Sequence, residues 1–319
     1  MSYTIIKPKD RKEWLKHRES GIGSSEVGTI LGLNPFETPY QLWRRKKGLD
    51  APKEETFAMK AGHYLEDAVS SFYRDATGKE IIKASAGDWL IVNNEKTYLR
   101  VSPDRTFWIP GAPKTIHNKG ILECKTTQLE IDADSLPQHW FCQLQYQLGV
   151  AELEQGALAW LTMGRDFNYR DITFDKEFYD WMIEGVDKFW VDNIQGNQEP
   201  LMMNVEDLLL KNPRHMEGKT VEASEELVMK LKELKEVKEN LSGLEDVKKS
   251  LENEIKMAFG DAEALVAPGS SPAKPVILAT WKSAKDSLKF NEKKFATEHP
   301  ELHAEYQYHS PGSRRFLIK

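Results

Sequence analysis

The stretch Ile121-Leu122-Glu123-Cys124-Lys125-Thr126 reads as a short buried strand interrupted by two charges. Side chains at i and i+2 on a strand point to the same face. Glu123 and Lys125 therefore share a side with Ile121, and Leu122, Cys124 and Thr126 take the other. A buried charge is costly unless it is paired or held by a cation. The two charges thus either neutralise each other as a structural salt bridge or serve a ligand in a cleft. Eighteen residues separate Glu123 from Asp104, which stands in "VSPDRTF", a strand candidate interrupted by Pro103. The loop "PGAPKTIHN" (110–118) is able to return the chain so that the two strands lie side by side and both carboxylates converge on one divalent ion. Hard oxygen ligands suit Mg2+ or Mn2+ rather than zinc. Lys125 is then placed to orient or help deprotonate an attacking water, or to stabilise charge building on phosphorus.

Around this strand the chain alternates helix-like and strand-like segments, the pattern of one α/β domain over about residues 1–200. Helix patterns cover 11–20, 24–33, 38–48, 54–77, 137–153 and 178–194, and strand patterns cover 79–84, 88–93, 97–109, 119–126, 156–163 and 168–174. The 54–77 helix carries one stripe of Phe57, Ala61, Leu65, Ala68, Phe72 and Ala76, and a second apolar side of Met59, Val69 and Tyr73 around Glu66. Apolar on two sides, it is expected to be well buried. Residues 201–220 read as a connector. Over 221–259, Leu227, Leu231, Leu234 and Leu241, then Leu244, Leu251, Ile255 and Ala258, keep heptad-like spacing. Asn240-Leu241-Ser242-Gly243 interrupts the register, which suggests a helical hairpin, self-packed rather than an oligomer zipper. A small α/β extension, 260–319, ends in the strand candidate "SRRFLIK".

Composition narrows the classes. The chain has 319 residues, 40% of them hydrophobic, with nine tryptophans, so most of it should fold. No apolar run reaches the ~18–20 residues that cross a bilayer, and the N-terminus lacks a signal-peptide core, so a cytoplasmic protein without membrane contact is expected. Two cysteines, Cys124 and Cys142, support neither a disulfide framework nor a zinc site, and read as small buried hydrophobes. A net charge of −6 disfavours non-specific coating of DNA more than it disfavours a DNA enzyme with a local basic channel. The basic run "WRRKKG" (43–48) reads as a solvated helix end that could also line a DNA path.

Further residues gather around the charged strand. Arg18 ends one helix, and Ser24 and Ser25 begin the next, a combination that reads as a phosphate pocket or as an ordinary helix cap beside a surface arginine. Glu66 follows Gly62 by one turn, leaving room for a ligand, and reads equally as a buried structural acid. Gln143 and Gln147 share a helix face with Trp140.

Asp, about twenty residues, then Glu-x-Lys is the signature of the PD-(D/E)XK nuclease fold, present here as "SPD…ECK". The first ~200 residues resemble the lambda-exonuclease (YqaJ-type) viral recombinase family within it. The matches are Arg18 with "GIGSSEV" and Ser25, Gly62 and Glu66, Ser102-Pro103-Asp104, Leu122-Glu123-x-Lys125, and Gln143-x-Gln145. The family often carries Gly after Ser-Pro-Asp, where this chain has Arg105. That side chain is expected to point away from the metal, leaving the chemistry intact or altering a DNA contact instead.

The resemblance implies an α/β, restriction-endonuclease-like core and a Mg2+-dependent exonuclease that digests one strand of linear double-stranded DNA in the 5′-to-3′ direction. It places Asp104, Glu123 and the Cys124 carbonyl on metal, with Glu66 assisting at a second ion and Mn2+ able to substitute. Lys125 positions water, and Gln143 supports that lysine or DNA. Arg18, Ser25 and Ser102 hold the 5′-phosphate, and Trp140 lies near the site. It further implies a ring-shaped homotrimer, a phage single-strand annealing protein as partner, and a phage or prophage enzyme at work in a bacterial host. An endonuclease on the same fold, or an inactive DNA-binding module, are the alternatives left open.

Overall fold

The computed structural model describes residues 2–318 apart from 52–55, 84–89, 163–164, 270, 272 and 311. The undescribed positions include the start of the helix pattern at 54, the facing ends of the strand patterns at 79–84 and 88–93, and Met163 at the end of the 156–163 pattern. The chain divides into two compact units, Met1–Lys211 and Asn212–Lys319.

The first unit opens with β1 (Tyr3–Ile6), α1 (Arg11–Glu19), β2 (Ile22–Gly23), α2 (Ser24–Ile30) and α3 (Pro39–Lys46). Next come α4 (Phe57–Thr77), β3 (Ile81–Ile82), β4 (Leu90–Asn93), β5 (Leu99–Val101), β6 (Arg105–Trp108) and β7 (Lys119–Thr127). It closes with α5 (Gln138–Ala151), β8 (Gln155–Thr162), β9 (Asp166–Thr173), α6 (Lys176–Lys188), a π-helical stretch Phe189–Gln195, and α7 (Val205–Lys211). Local chemistry sets the helix ends. Asp10, Thr56 and Asp175 cap α1, α4 and α6 by accepting from the N–H three residues on. Thr38 caps α3 with Pro39 in its first turn, and Gly78 ends α4 at φ 69°, a left-handed conformation that glycine adopts without steric cost.

The strands form two sheets, ordered β1-β4-β5-β2 and β3-β6-β7-β8-β9. In the second, β6 pairs antiparallel with both β3 and β7, and α5 then crosses over to place β8 parallel to β7. This α4-β3-β6-β7-α5-β8 succession is a mixed α/β core. Helix α5 lies between the sheets and is buried nearly all round, with Leu144, Tyr146, Leu148 and Val150 at 0% exposure. On the far face of the second sheet, Val69 and Tyr73 of α4 pack on Phe107, Leu122, Cys124, Ala157 and Ala159. The alternation of β7 thus has its cause: Leu122 and Cys124 enter the α4 layer, and Ile121 belongs to the α5 layer.

Several expectations are corrected. The 97–109 strand pattern is two strands, because Pro103 has no N–H for a ladder and the chain changes sheet at Ser102–Asp104. Helix α4 has a sheet on one side only. Its Val69/Tyr73 face is buried, while Phe57 is 84% exposed and Phe72 47%. Strand β1 lies N-terminal to every strand pattern in the sequence and pairs with β4. The first unit runs on to Lys211 because the buried Asp207 accepts from Thr38 Oγ1 (2.8 Å), Gln41 Nε2 (2.9 Å) and Met203 N (2.9 Å), tying the presumed connector to α3. The basic run at 43–48 is anchored rather than solvated: Arg44 pairs with Asp50, Arg45 with Glu37 and Glu26, and Lys46 with Glu26 at 2.8 Å.

The second unit consists of α8 (Glu225–Met257), β10 (Ala264–Val266), β11 (Ile277–Thr280), α9 (Glu292–Glu298) and α10 (Pro300–Glu305). Helix α8 is one unbroken rod, not a hairpin. An isolated glycine such as Gly243 costs a helix only about 1 kcal/mol, too little to force a turn. The "SRRFLIK" segment carries no strand among its described residues, 313–318.

Candidate active site

Where the chain leaves the first sheet and enters the second, Asp104 is held against β7. Its Oδ2 accepts from the backbone N–H of Cys124 at 2.8 Å. One residue before that amide, Glu123 points to the α5 side and is 2% exposed. Its Oε1 accepts from Lys125 Nζ (2.7 Å) and Gln143 Nε2 (2.5 Å), and its Oε2 from Gln147 Nε2 (2.9 Å). Lys125 Nζ also donates to Gln143 Oε1 at 2.8 Å, closing a three-membered ring of contacts. The i,i+2 period of β7 and the i,i+4 period of α5 create this cluster, since each delivers two polar groups to one line of contact.

Removal from water pushes the Asp104 carboxyl well above the usual carboxylate range, and the charges of Glu123 and Glu66 push the same way against Lys125. Burial pulls Lys125 down, but Glu123 and Asp104 outweigh it and leave the ammonium raised.

Asp104 opens onto a cleft of about 180 Å3. Arg11, Trp14, Arg18, Ser24 and Ser25 line one part of it, and His63, Glu66, Ser102, Asp104 and Gln143 another. Arg18 Nη2 donates to Ser25 Oγ at 3.0 Å. The Arg18 and Arg11 guanidinium carbons stand 5.1 and 4.0 Å from the Trp14 ring centroid. Cations and hydroxyls thus stand in the same cleft as the carboxylates.

The other expected residues take definite places. Glu66 Oε1 meets His63 Nδ1 at 3.2 Å, and its Oε2 meets Arg105 Nη1 at 3.5 Å. Trp140 packs on Trp160, the β8 residue opposite Lys125, with ring centroids 6.4 Å apart, and does not line the cleft. Gln145 turns away from the cluster: its Nε2 donates to Thr173 O and its Oε1 accepts from Asp175 N. The thiol of Cys124 belongs to the α4 layer, where burial pushes it well above its ordinary value, followed by the charges of Asp104 and Glu123.

Two residues gain roles that their sequence context did not assign. Gln147, one turn beyond Gln143, bridges Glu123 to Ser24 Oγ (3.2 Å), and its i+4 spacing from Gln143 was the available signal. Arg105 is buried at 7% exposure, at the wall of the cleft. Its Nη2 donates to Asp67 Oδ1 (2.7 Å) and its Nη1 to the Asp104 carbonyl (2.5 Å), beside Glu66. Like Phe107 two residues later, it faces α4, and it braces Asp104 and Glu66 from that side.

Among the described residues no three His, Cys, Asp or Glu side chains form a ready-made metal cage. The donor set nevertheless fits a hard divalent cation. Asp104 and Glu66 line the same cleft, burial and then the charges of Glu123 and Glu66 push Asp104 up, and Asp104 Oδ1 accepts no hydrogen bond from any described residue. An ion that keeps most of its water needs only one or two such carboxylates.

Residues 13–154 match the model of the YqaJ-like viral recombinase domain. The uncharacterized protein YqaJ of Bacillus subtilis (strain 168) is 29% identical over 321 residues, covering 97% of this chain and 94% of its own length. The uncharacterized protein R354 of Acanthamoeba polyphaga mimivirus is 24% identical over 156 residues, covering 45% of this chain and 27% of its own. Among solved structures, the alkaline exonuclease LHK-Exo of Laribacter hongkongensis aligns with a TM-score of 0.46 at 16% identity, over 58% of this chain and 93% of that one. The stretch similar to that domain, 13–154, contains Asp104, Glu123 and Lys125.

Proposed function

We infer that this chain is a Mg2+-dependent deoxyribonuclease that degrades one strand of linear duplex DNA from its 5′ end. The observation that carries the reading is that Asp104, bonded to β7 between Glu123 and Lys125, lines a cleft that also holds Arg18 and Ser25. Asp104, Glu123 and the Cys124 carbonyl hold Mg2+, with Glu66 at a second ion and Mn2+ as a substitute. When bound, the cation stabilises charge on the phosphoryl oxygens. The Lys125 ammonium has three donor hydrogens. Glu123 and Gln143 take two, leaving the third to orient the attacking water. Gln143 and Gln147 fix Glu123, and Gln143 also keeps Lys125 from swinging into solvent.

Arg18, Ser25 and Ser102 hold the terminal 5′-phosphate, and Trp14 keeps the guanidinium of Arg18 in place from below. Holding the end of one strand favours repeated cleavage without release. The 3′ single strand so exposed passes to a phage single-strand annealing protein for recombination in the cytoplasm of a bacterial host. The family resemblance supports a ring-shaped trimer around the DNA.

The test is digestion of linear duplex DNA labelled separately at its 5′ and 3′ ends, with and without Mg2+, beside a closed circle. Early loss of the 5′ label, from linear DNA only and only with the ion, is the expected result. Arg18→Ala should slow digestion of 5′-phosphorylated ends more than of 5′-hydroxyl ends. Nicking of the circle would make the enzyme an endonuclease. No cleavage with any divalent ion would leave a DNA-binding module.

A further inference from the structure

Helix α8 presents a long apolar seam to solvent. It runs for 33 residues, about 50 Å at 1.5 Å per residue, and none of them is buried. With the hairpin excluded, the seam has no counterpart on its own helix. Its strict seven-residue register places Leu227, Leu234, Leu241, Lys248 and Ile255 at the first core position. Lys230, Val237, Leu244 and Leu251 occupy the second. Leu231 and Val247 widen the stripe at flanking positions. Exposure at its apolar core positions runs from 36% at Leu234 to 66% at Leu244, so the β10–β11 hairpin and the short helices of this unit leave the core line open, while on one flank Leu231 is half-buried and the Phe316 ring lies 5.8 Å from the Lys238 ammonium. A seam of this length and spacing fits another helix of the same kind.

We propose that α8 pairs in antiparallel fashion with α8 of a second copy of this chain, with Leu241 of each facing Leu244 of the other. The lysines at core positions decide the orientation. In a parallel pair Lys230 would meet Lys230 and Lys248 would meet Lys248 inside the seam, two like-charge contacts removed from water. In the antiparallel pair Lys248 faces Val237 and Lys230 faces Ile255. Each stem then lies over an aliphatic side chain while the ammonium reaches solvent. Leu234 faces Leu251, and Lys238 at the rim meets Glu245 of the second copy on both sides. One rim pair, Glu233 with Glu254, is like-charged, but a solvated rim repulsion is smaller than a lysine pair inside the seam. Near-balanced charge, with acids and bases interspersed along the rod, also favours a copy of itself over a strongly charged partner. The inference is independent of the nuclease reading.

Single-cysteine cross-linking of the full chain tests it. In the antiparallel pair Leu234→Cys and Leu251→Cys meet only each other, because 17 residues place each about 26 Å along the axis from its own twin. A covalent dimer should therefore form on oxidation in an equilibrated mixture of the two variants and in neither alone. The native Cys124 and Cys142 are both buried and do not compete. Dimers in each variant alone would establish a parallel pair and overturn the proposal. No dimer in any sample would overturn pairing altogether. Sedimentation provides the second reading: Leu241→Glu with Leu244→Glu should halve the mass of the assembly, and an unchanged mass would refute self-association through α8.

Discussion

Replacing Arg105 with alanine isolates the internal brace of the carboxylate cluster. The guanidinium is buried and holds the Asp104 carbonyl, Asp67 and Glu66 together. Removing it leaves the Asp104 carbonyl without that donor, which costs about 1–3 kcal/mol. The Asp67 arm is worth at most about 1 kcal/mol, since that carboxylate is 66% exposed and also bonds Lys83. The 3.5 Å contact with Glu66 is weak. The sum is about 1–4 kcal/mol. For a unit of this size, 1 kcal/mol moves the melting temperature by roughly 2–4 °C, so the variant should melt roughly 2–16 °C lower. Scanning calorimetry measures the shift. Digestion of linear duplex over a Mg2+ titration measures the second effect, a weaker response to the ion because Glu66 and Asp104 have lost their shared support. Arg105→Lys keeps the charge but not the two-armed fork, and should recover only part of both losses. A variant that melts and digests like the parent would refute the brace. A lower melting temperature with an unchanged Mg2+ response would confine Arg105 to the fold.

Three further outcomes are expected. Lys125→Ala should bind duplex DNA yet lose cleavage by about 10²–10³-fold, the scale for losing one oriented donor, and retained cleavage would remove its role. Gly28→Ala should destabilise the first unit by about 1–3 kcal/mol, because the added methyl would stand 2.7 Å from His139 Cβ and 3.0 Å from its Cα, forcing α2 from α5; denaturant unfolding reports it. Both thiols should resist aromatic disulfide reagents in the native protein and react on unfolding. Burial pushes Cys142 up to about 11, which leaves roughly one part in a thousand as thiolate at pH 8, and fast labelling of the folded chain would contradict that burial.

The sequence by itself determined the local elements and the chemistry of the central strand. Alternation in "ILECKT" placed Glu123 and Lys125 on one face, the Asp104 spacing announced a second carboxylate, and the i,i+4 pattern of α5 set Gln143 and Gln147 side by side. Such facts depend on neighbours within a few residues, and backbone periodicity fixes them wherever the chain is folded. Tertiary structure alone decided the rest. Pro103 announced a break, but only the packing of two sheets around α5 sent β5 and β6 to different layers and left Asp104 at the crossing. The same packing chose which apolar side of α4 to bury and turned Arg105 inward, because a helix with two candidate faces settles on the one its sheet can cover. Helix α8 shows the converse. Its heptads were legible, and whether they fold back or stay open depended on a turn that Gly243 is too weak to impose.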